Sequence, residues 1–155
     1  MSGTGNQGKL YRNSGTNDTP IWAEVKRVID LSTPLTKGEA DVSRRESNWK
    51  LLKGTLKEGS IEFGYRVKRG ANGADAEYAA FLDSFAAGTA VQYAAMDGDI
   101  TEDGARGFKA YCECFDCSRD EPLTDGMVAN IVLKPTDYED SGTLVEPELV
   151  EISVP

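Results

Sequence analysis

The segment Ser60–Lys68, SIEFGYRVK, alternates between apolar and polar residues along its whole length. Ile61, Phe63, Tyr65 and Val67 recur with a period of two, and glycine or charged residues stand between them. This period predicts a half-buried β-strand, because successive side chains of a strand point to opposite faces. The segment therefore favours a sheet with one face turned to a core.

The segment Asp75–Ala87, which follows this strand, carries an apolar stripe of helical spacing. Tyr78, Phe81, Leu82 and Phe85 fall at positions i, i+3, i+4 and i+7, which predicts one amphipathic α-helix. We expect all four side chains to pack on the sheet.

Strand patterns recur on both sides of this pair of elements. They cover Ala23–Leu31, Glu39–Ser43, Ala90–Met96, Gly107–Cys117 and Gly126–Lys134. Strands, one helix and strands again predict a mainly β fold, an antiparallel β-sandwich or barrel with one flanking α-helix.

Three regions fall outside these patterns. Residues 1–20 are rich in Gly, Asn, Ser and Thr and predict an N-terminal arm, which leaves residues 21–135 as the folded domain. The polar stretch Thr33–Leu56 predicts a long early loop. Residues 136–155 are expected to form an acidic C-terminal extension outside the core.

Composition lowers the expectation of nucleic-acid binding and of catalysis. The chain of 155 residues has a net charge of −9 and no histidine. Nucleic-acid affinity comes mainly from Lys and Arg, and histidine is the commonest general base. No apolar run approaches membrane-spanning length and no signal peptide begins the chain, so we expect no membrane association and reduced cysteines.

All three cysteines lie in the predicted strand Gly107–Cys117. Cys112 and Cys114 share a face with Phe108 and Ala110, which favours buried structural cysteines. A zinc site usually takes four Cys or His ligands, and only three cysteines are present, with Asp116 a poor fourth ligand. A site that binds metal or cycles between thiol and disulfide through Cys112, Cys114 and Cys117 stays open as the alternative, and no catalytic, metal or cofactor site is predicted.

Charge is distributed unevenly along the chain. Basic residues concentrate in the early polar region and include Lys37, Arg44, Arg45, Lys50, Lys53 and Lys57. Acidic residues concentrate in the tail and include Asp137, Glu146, Glu148 and Glu151. Such asymmetry marks candidate interaction surfaces. Trp49 lies in the basic region and is a candidate anchor, or else an aromatic residue packed locally in a loop.

The order of these elements and their residue patterns resemble those of a known protein family. The segments GKLYRNSG, AEVKRVIDLS, EGSIEFGYRV, DAEYAAFLDSFAAGT and FKAYCECFDCSRDEPLTDGMVANIVLKPTD follow one another between Gly8 and Asp137. In this order they are similar to the major tail tube protein of long-tailed bacteriophages, a relative of the type VI secretion tube protein.

The resemblance implies a structural protomer without enzymatic activity. Six copies would form a ring, and stacked rings would form the conduit through which DNA leaves the capsid. The implied partners are further copies of the chain, the tape measure protein, the tail terminator and a sheath. The implied location is the virion tail, assembled in the bacterial host cytoplasm, with DNA passing through but not specifically bound.

The resemblance also implies where rings would touch. Stacking contacts map onto Thr33–Leu56 and Met1–Thr19, and we expect the basic region to meet the acidic tail of the next ring. Glu113, on the strand face opposite the cysteines, is a candidate to face the lumen. A ring protein of a secretion or contractile apparatus and a monomeric β-sandwich binding module remain alternatives.

Overall fold

The computed structural model describes residues 8–67, 76–120 and 128–153. In these ranges the chain forms twelve strands and one helix. The elements are β1 (Lys9–Asn13), β2 (Trp22–Glu24), β3 (Val28–Ser32), β4 (Leu35–Asp41), β5 (Leu52–Gly59), β6 (Ile61–Arg66), α1 (Ala76–Ala87), β7 (Val91–Met96), β8 (Arg106–Asp120), β9 (Val128–Pro135), β10 (Glu139–Asp140), β11 (Thr143–Leu144) and β12 (Glu148–Glu151).

The main sheet is antiparallel and curls back on itself. Its strands follow the order β2-β1-β7-β8-β9-β6-β3, and β12 pairs with β8 beside this path. Strands β2 and β3 lie at opposite ends of this order, yet only residues 25–27 separate them in the chain. Three residues span at most about 10 Å, so the two ends of the sheet must come together. The predicted antiparallel β-sandwich or barrel with one helix is confirmed.

The core lies on the concave face of this curled sheet. Ile61, Phe63 and Tyr65 of β6 are buried there, as their alternation predicts. Phe81 of α1 is fully buried and its ring lies 5.5 Å from the rings of both Phe63 and Tyr65. Aromatic packing of this kind therefore attaches the helix to the sheet.

Helix α1 is rotated relative to the predicted stripe. Phe81 and Ser84 are buried and Tyr78 is half-buried, whereas Leu82 and Phe85 are exposed. The expectation that Leu82 and Phe85 pack on the sheet is therefore wrong. The Ser84 hydroxyl donates to the Thr89 carbonyl and accepts from the Cys114 amide, so a hydrogen-bonded serine takes the buried position that an apolar pattern would not assign to it.

Strand β1 lies inside the region predicted to be an arm. It pairs with β2 on one side and with β7 on the other, and Leu10 and Tyr11 are buried. The Arg12 guanidinium also donates to Glu77 Oε1 at 3.1 Å, which links β1 to the start of the helix. The prediction of an arm is therefore wrong for Lys9–Asn13, because pairing with distant β7 decides the structure there.

The stretch Ala23–Leu31 forms two strands instead of the predicted single one. Strand β2 ends at Glu24 and β3 begins at Val28. Val25 is buried between them, and its amide donates to the Leu10 carbonyl. Arg27, which breaks the alternation in the sequence, lies in this turn.

The predicted long loop Thr33–Leu56 is instead a β-hairpin, together with its tip. Among the described strands, β4 and β5 pair with each other alone and form a separate two-stranded sheet. The short strand expected over Glu39–Ser43 is the end of β4. Most side chains are exposed on both faces of the hairpin, so no alternation of polarity reveals it in the sequence.

The C-terminal segment adds a strand to the main sheet. Strand β12 pairs with Arg106–Lys109 of β8, and β9 pairs with the following half of β8. Tyr138 stacks on Tyr111 with ring centroids 3.8 Å apart. The expectation that residues after Pro135 lie outside the fold is wrong for this segment, because it covers the edge and one face of β8.

Candidate functional site

The β4–β5 hairpin presents basic side chains away from the core. Lys37 and Lys57 are directly opposite each other in the register, so they share one face of the hairpin. Lys53 pairs with Ala40 beyond a β-bulge, close to the tip. All three lysines are exposed, and no ion pair is found for them among the described residues. Their charge is therefore available to a partner.

The hairpin tip, residues 42–51, carries three further cations. Backbone and side-chain hydrogen bonds close the tip: the Val42 amide donates to the Leu51 carbonyl, and the Leu51 amide donates to Ser43 Oγ. Arg44, Arg45 and Lys50 are exposed on this closed tip. The basic residues named from the sequence thus lie on an ordered hairpin end and not in the predicted loop, and their role in stacking stays a prediction.

Large apolar side chains accompany these charges. Trp49 is 80% exposed at the tip and Leu56 is 85% exposed on β5. Trp49 therefore does not pack locally, which excludes the second of its two predicted roles. Exposed aromatic and aliphatic groups beside basic ones are typical of protein-binding surfaces.

Two of the four predicted acidic residues already have partners in the protomer. Glu148 Oε1 forms an ion pair with Lys109 Nζ at 2.6 Å, and Glu151 Oε2 forms one with Arg106 Nη2 at 3.4 Å. Each pair joins residues directly opposite each other in β12 and β8. These contacts fix the tail on the sheet, so Glu148 and Glu151 contribute less free negative charge than the sequence suggests.

A cleft of about 720 Å³ lies between the β10–β11 hairpin, β12 and the loop before β2. Asp18, Asp140 and Glu146 line this acidic cleft together with the Lys109–Glu148 pair. Asp137 is exposed but does not line the cleft. Asp140 lies in the acidic tail segment named from the sequence, whereas sequence reasoning missed Asp18, because only folding brings residue 18 to the tail. No group of side chains in the described ranges is arranged to hold a metal ion.

Glu113 lies near the junction of β8, the end of α1 and the tail. The Thr136 hydroxyl donates to Glu113 Oε2 at 2.6 Å. Glu113 Oε1 lies 3.0 Å from the position that a Cβ atom would take at Gly88. Gly88 itself has a φ of 73°, in the left-handed region that favours glycine. Glu113 is half-exposed. Which surface of an assembly it would face remains a prediction.

The cysteines are not arranged as a reactive site. Cys112 and Cys114 are buried, as predicted, and Cys117 is half-buried. Burial raises the pKa of Cys112 and that of Cys114 to about 12, and it also raises the pKa of Cys117. Redox and metal-binding cysteines need an accessible thiolate, so this environment is the opposite of an activating one.

Two further aromatic side chains are exposed near the contact between α1 and β8. Phe85 is 57% exposed and Phe115 is 53% exposed. Phe85 follows Ser84 in α1, and Phe115 follows Cys114 in β8. The Cys114 amide donates to Ser84 Oγ at 3.1 Å. Strand β7 pairs with β8 only up to Cys112, so among the described strands none pairs with β8 beyond that point on this side. Helix α1 meets this edge at Cys114, and beyond Cys112 no described strand pairs with β8 on the β7 side.

Solved structures share this fold over almost the whole chain. The tail of an empty GTA particle, refined with helical C6 symmetry, matches at 12% identity and a TM-score of 0.68, covering 98% of this chain and 100% of that chain. The SPP1 tail tube matches at 14% identity and a TM-score of 0.69, covering 99% and 81%. The 6-fold symmetrised baseplate of the anti-feeding prophage (AFP) matches at 8% identity and a TM-score of 0.59, covering 99% of each chain.

The chain has the fold of tail tube proteins. No protein-family model and no curated protein sequence matches it. In the described ranges no helix is long and apolar enough to span a membrane.

Proposed function

We propose that the chain is a structural protomer of a phage tail tube. Six copies form a ring, and stacked rings form the conduit through which DNA leaves the capsid. The observation that carries this proposal is the full-length match to a tail of C6 symmetry and to a tail tube. The chain acts in the virion tail as a scaffold and not as an enzyme. Its further partners are the tape measure protein, the tail terminator and, in a contractile tail, a sheath.

The charge of the chain suits a conduit for a polyanion. A net charge of −9 disfavours adhesion of phosphate groups, which would slow DNA in transit. Glu113 is our candidate for the lumen-facing surface, and its half-exposed carboxylate supports this assignment. A lining of carboxylates would repel DNA at every ring.

Rings stack, in this proposal, through the hairpin of one ring and the acidic cleft of the next. Arg44, Arg45 and Lys50 at the tip are complementary in charge to Asp18, Asp140 and Glu146 around the cleft. Trp49 provides the apolar anchor, and Lys37, Lys53 and Lys57 extend the basic surface along the hairpin. Asp137 adds an exposed carboxylate beside the cleft in this proposal, whereas Glu148 and Glu151, paired with Lys109 and Arg106, contribute less.

Neighbouring protomers within a ring meet, in the same proposal, through Phe85, Phe115 and the part of β8 beyond Cys112, which pairs with no described strand on the β7 side. Unpaired strand edges invite pairing with another chain, and ring closure gives each edge a partner. The exposed Leu82 adds apolar area beside Phe85 on the helix.

Negative-stain electron microscopy of the purified protein tests the proposal. We expect rings with six-fold symmetry or tubes, and fast-sedimenting species at the same concentration in sedimentation velocity. Compact monomers across a wide range of protein and salt concentrations would overturn it.

The similarity to the anti-feeding prophage baseplate supports a second candidate. In this reading the chain is a ring or tube protein of a secretion or contractile apparatus. Neighbouring genes separate the two, because a long tape-measure gene downstream favours the phage tail.

A further inference from the structure

The pairing of β7 with β8 stops one step short of the helix end. The two strands pair in one continuous register, which ends with Val91 opposite Cys112. Two further residues in the same register would place Thr89 opposite Cys114. Strand β7 nevertheless begins only at Val91. The backbone hydrogen bond that would join Thr89 to Cys114 in a longer ladder is therefore replaced by another arrangement.

The hydroxyl of Ser84 stands between these two backbone groups. The Cys114 amide donates to Ser84 Oγ at 3.1 Å, and the same hydroxyl donates to the Thr89 carbonyl at 2.7 Å. One hydroxyl can do both, because it has one donor hydrogen and two acceptor lone pairs. Ser84 is only 2% exposed, so water has little access to this bridge. We call this arrangement, from Cys114 through Ser84 to Thr89, the Ser84 bridge.

The end of α1 is built so that Ser84 reaches the edge of β8. Ser84 lies in the last turn of the helix, and its carbonyl accepts a hydrogen bond from the Gly88 amide at 2.9 Å. Gly88 has a φ of 73° and ends the helix, so the chain turns back at once and brings Thr89 beside the hydroxyl. The bridge thus links the helix, the approach to β7 and the edge of β8.

The bridge also decides which part of the β8 edge another strand could use. An unpaired strand edge is a template for pairing with another chain, and folded proteins cover such edges. The Cys114 amide already has a buried partner in Ser84, so an added strand cannot take it without breaking the bridge. Serine is a poorer helix former than alanine, which indicates that the hydroxyl and not helix propensity accounts for this residue.

We propose that the Ser84 hydroxyl holds the end of α1 against the edge of β8 and prevents another strand from pairing with β8 at Cys114. Phe85 and Phe115 each follow a member of the bridge, so the bridge also fixes their relative position. Its consequence for assembly rests on the proposed function, in which a neighbouring copy docks through these two aromatics. A protomer without the bridge would present them in variable positions and should form rings poorly.

Amide hydrogen exchange resolved to single residues tests the bridge in the folded protein. Ser84→Ala removes the hydroxyl, and alanine favours a helix more than serine, so the helix itself should not weaken. We expect exchange of the Cys114 amide to become about ten times faster relative to that of Ile131 in β9, because one buried hydrogen bond is lost. Thr136→Ala is the matched control, since it removes another hydroxyl bound to β8, at Glu113, and leaves the Cys114 amide bonded.

The two parts of the proposal can fail separately. An unchanged ratio of Cys114 to Ile131 exchange in Ser84→Ala, or the same increase in Thr136→Ala, would overturn the bridge. In electron microscopy at equal protein concentration, we expect normal tubes from Thr136→Ala and few from Ser84→Ala. Normal tubes from Ser84→Ala would overturn the role of the bridge in assembly. Absence of tubes from the unchanged chain would contradict the proposed function instead, and the exchange ratio would still decide whether the bridge exists.

Discussion

Charge reversal at the hairpin tip should prevent tube formation without unfolding the protomer. The variant Arg44→Glu/Arg45→Glu changes two exposed side chains without an ion pair among the described residues. Exposed substitutions of this kind usually alter the free energy of unfolding by about 0.5 kcal/mol or less. Any loss of assembly would therefore report on contacts between protomers.

The expected effect is large because ring symmetry multiplies it. An exposed ion pair contributes about 0.2–1 kcal/mol, and reversal replaces attraction by repulsion of similar size. Two reversed charges thus cost about 1–4 kcal/mol in each contact between protomers. In the six-membered rings proposed above, six contacts would act together, so each junction would lose at least about 5 kcal/mol. That loss lowers the association constant by more than about a thousandfold.

A matched control separates this contact from general repulsion. Lys26 and Arg27 are also adjacent, exposed and basic, but they lie in the turn between β2 and β3. Their double reversal changes the net charge by the same four units, from −9 to −13. We expect normal tubes from this control and none from the tip variant, by electron microscopy and sedimentation velocity. Urea denaturation should give similar midpoints for both.

Charge exchange across the contact provides the sharpest test. Asp140→Lys/Glu146→Lys alone should impair assembly, because it removes acidity from the cleft. Combined with the tip variant it should restore tubes, since the complementary charges are then exchanged. Normal tubes from the tip variant, or equal loss in the control, would refute the contact. Failure of the exchange to rescue would refute the cleft as the acceptor.

The remaining predictions concern single positions. Leu10→Ala should lower the free energy of unfolding by about 2–5 kcal/mol in urea denaturation, because Leu10 is fully buried in β1; a neutral effect would support an arm there. Trp49→Ala should leave the urea midpoint unchanged, since Trp49 is 80% exposed, but should reduce tube formation; normal tubes would remove its anchoring role. Burial raises the pKa of Tyr111 to about 12, above its ordinary value of 10, so its contribution to stability is complete below pH 10 and is lost as pH rises toward 12. Stability measured by denaturant titration should fall more steeply over this range in the unchanged chain than in Tyr111→Phe.

The sequence predicts the parts of the fold that local patterns encode. Strand β6, helix α1 and strands β7 to β9 all show a period of two or of 3.6 in their apolar residues. Their existence and type are right, and the buried cysteines follow from the same alternation. The helix face is wrong because Ser84, hydrogen-bonded to the Cys114 amide, takes the place of a larger apolar side chain.

The parts that the sequence does not reveal depend on pairing between distant segments. Lys9–Asn13 has only two apolar residues, and its position in the sheet comes from β2 and β7. Strand β12 is acidic, yet it pairs with β8 where Lys109 and Arg106 face its carboxylates. The acidic cleft joins Asp18 to Asp140, which no local pattern links. Sequence reasoning thus located the charged regions but not the surface that they form.

The hairpin shows why assembly surfaces escape prediction from one chain. An isolated two-stranded ribbon is marginally stable in water, because it has no second layer to bury its side chains. This hairpin nevertheless exposes Leu56 and Trp49 almost fully. Its base contacts the main sheet, where Leu35 and Phe108 flank Gly59. In the proposed assembly, the ribbon would gain the second layer that it lacks within its own chain by docking on another copy. Both faces of the ribbon are exposed in the single chain, so its polarity does not alternate and the sequence does not reveal it. The same exposure leaves the ribbon available for the proposed contact with another copy.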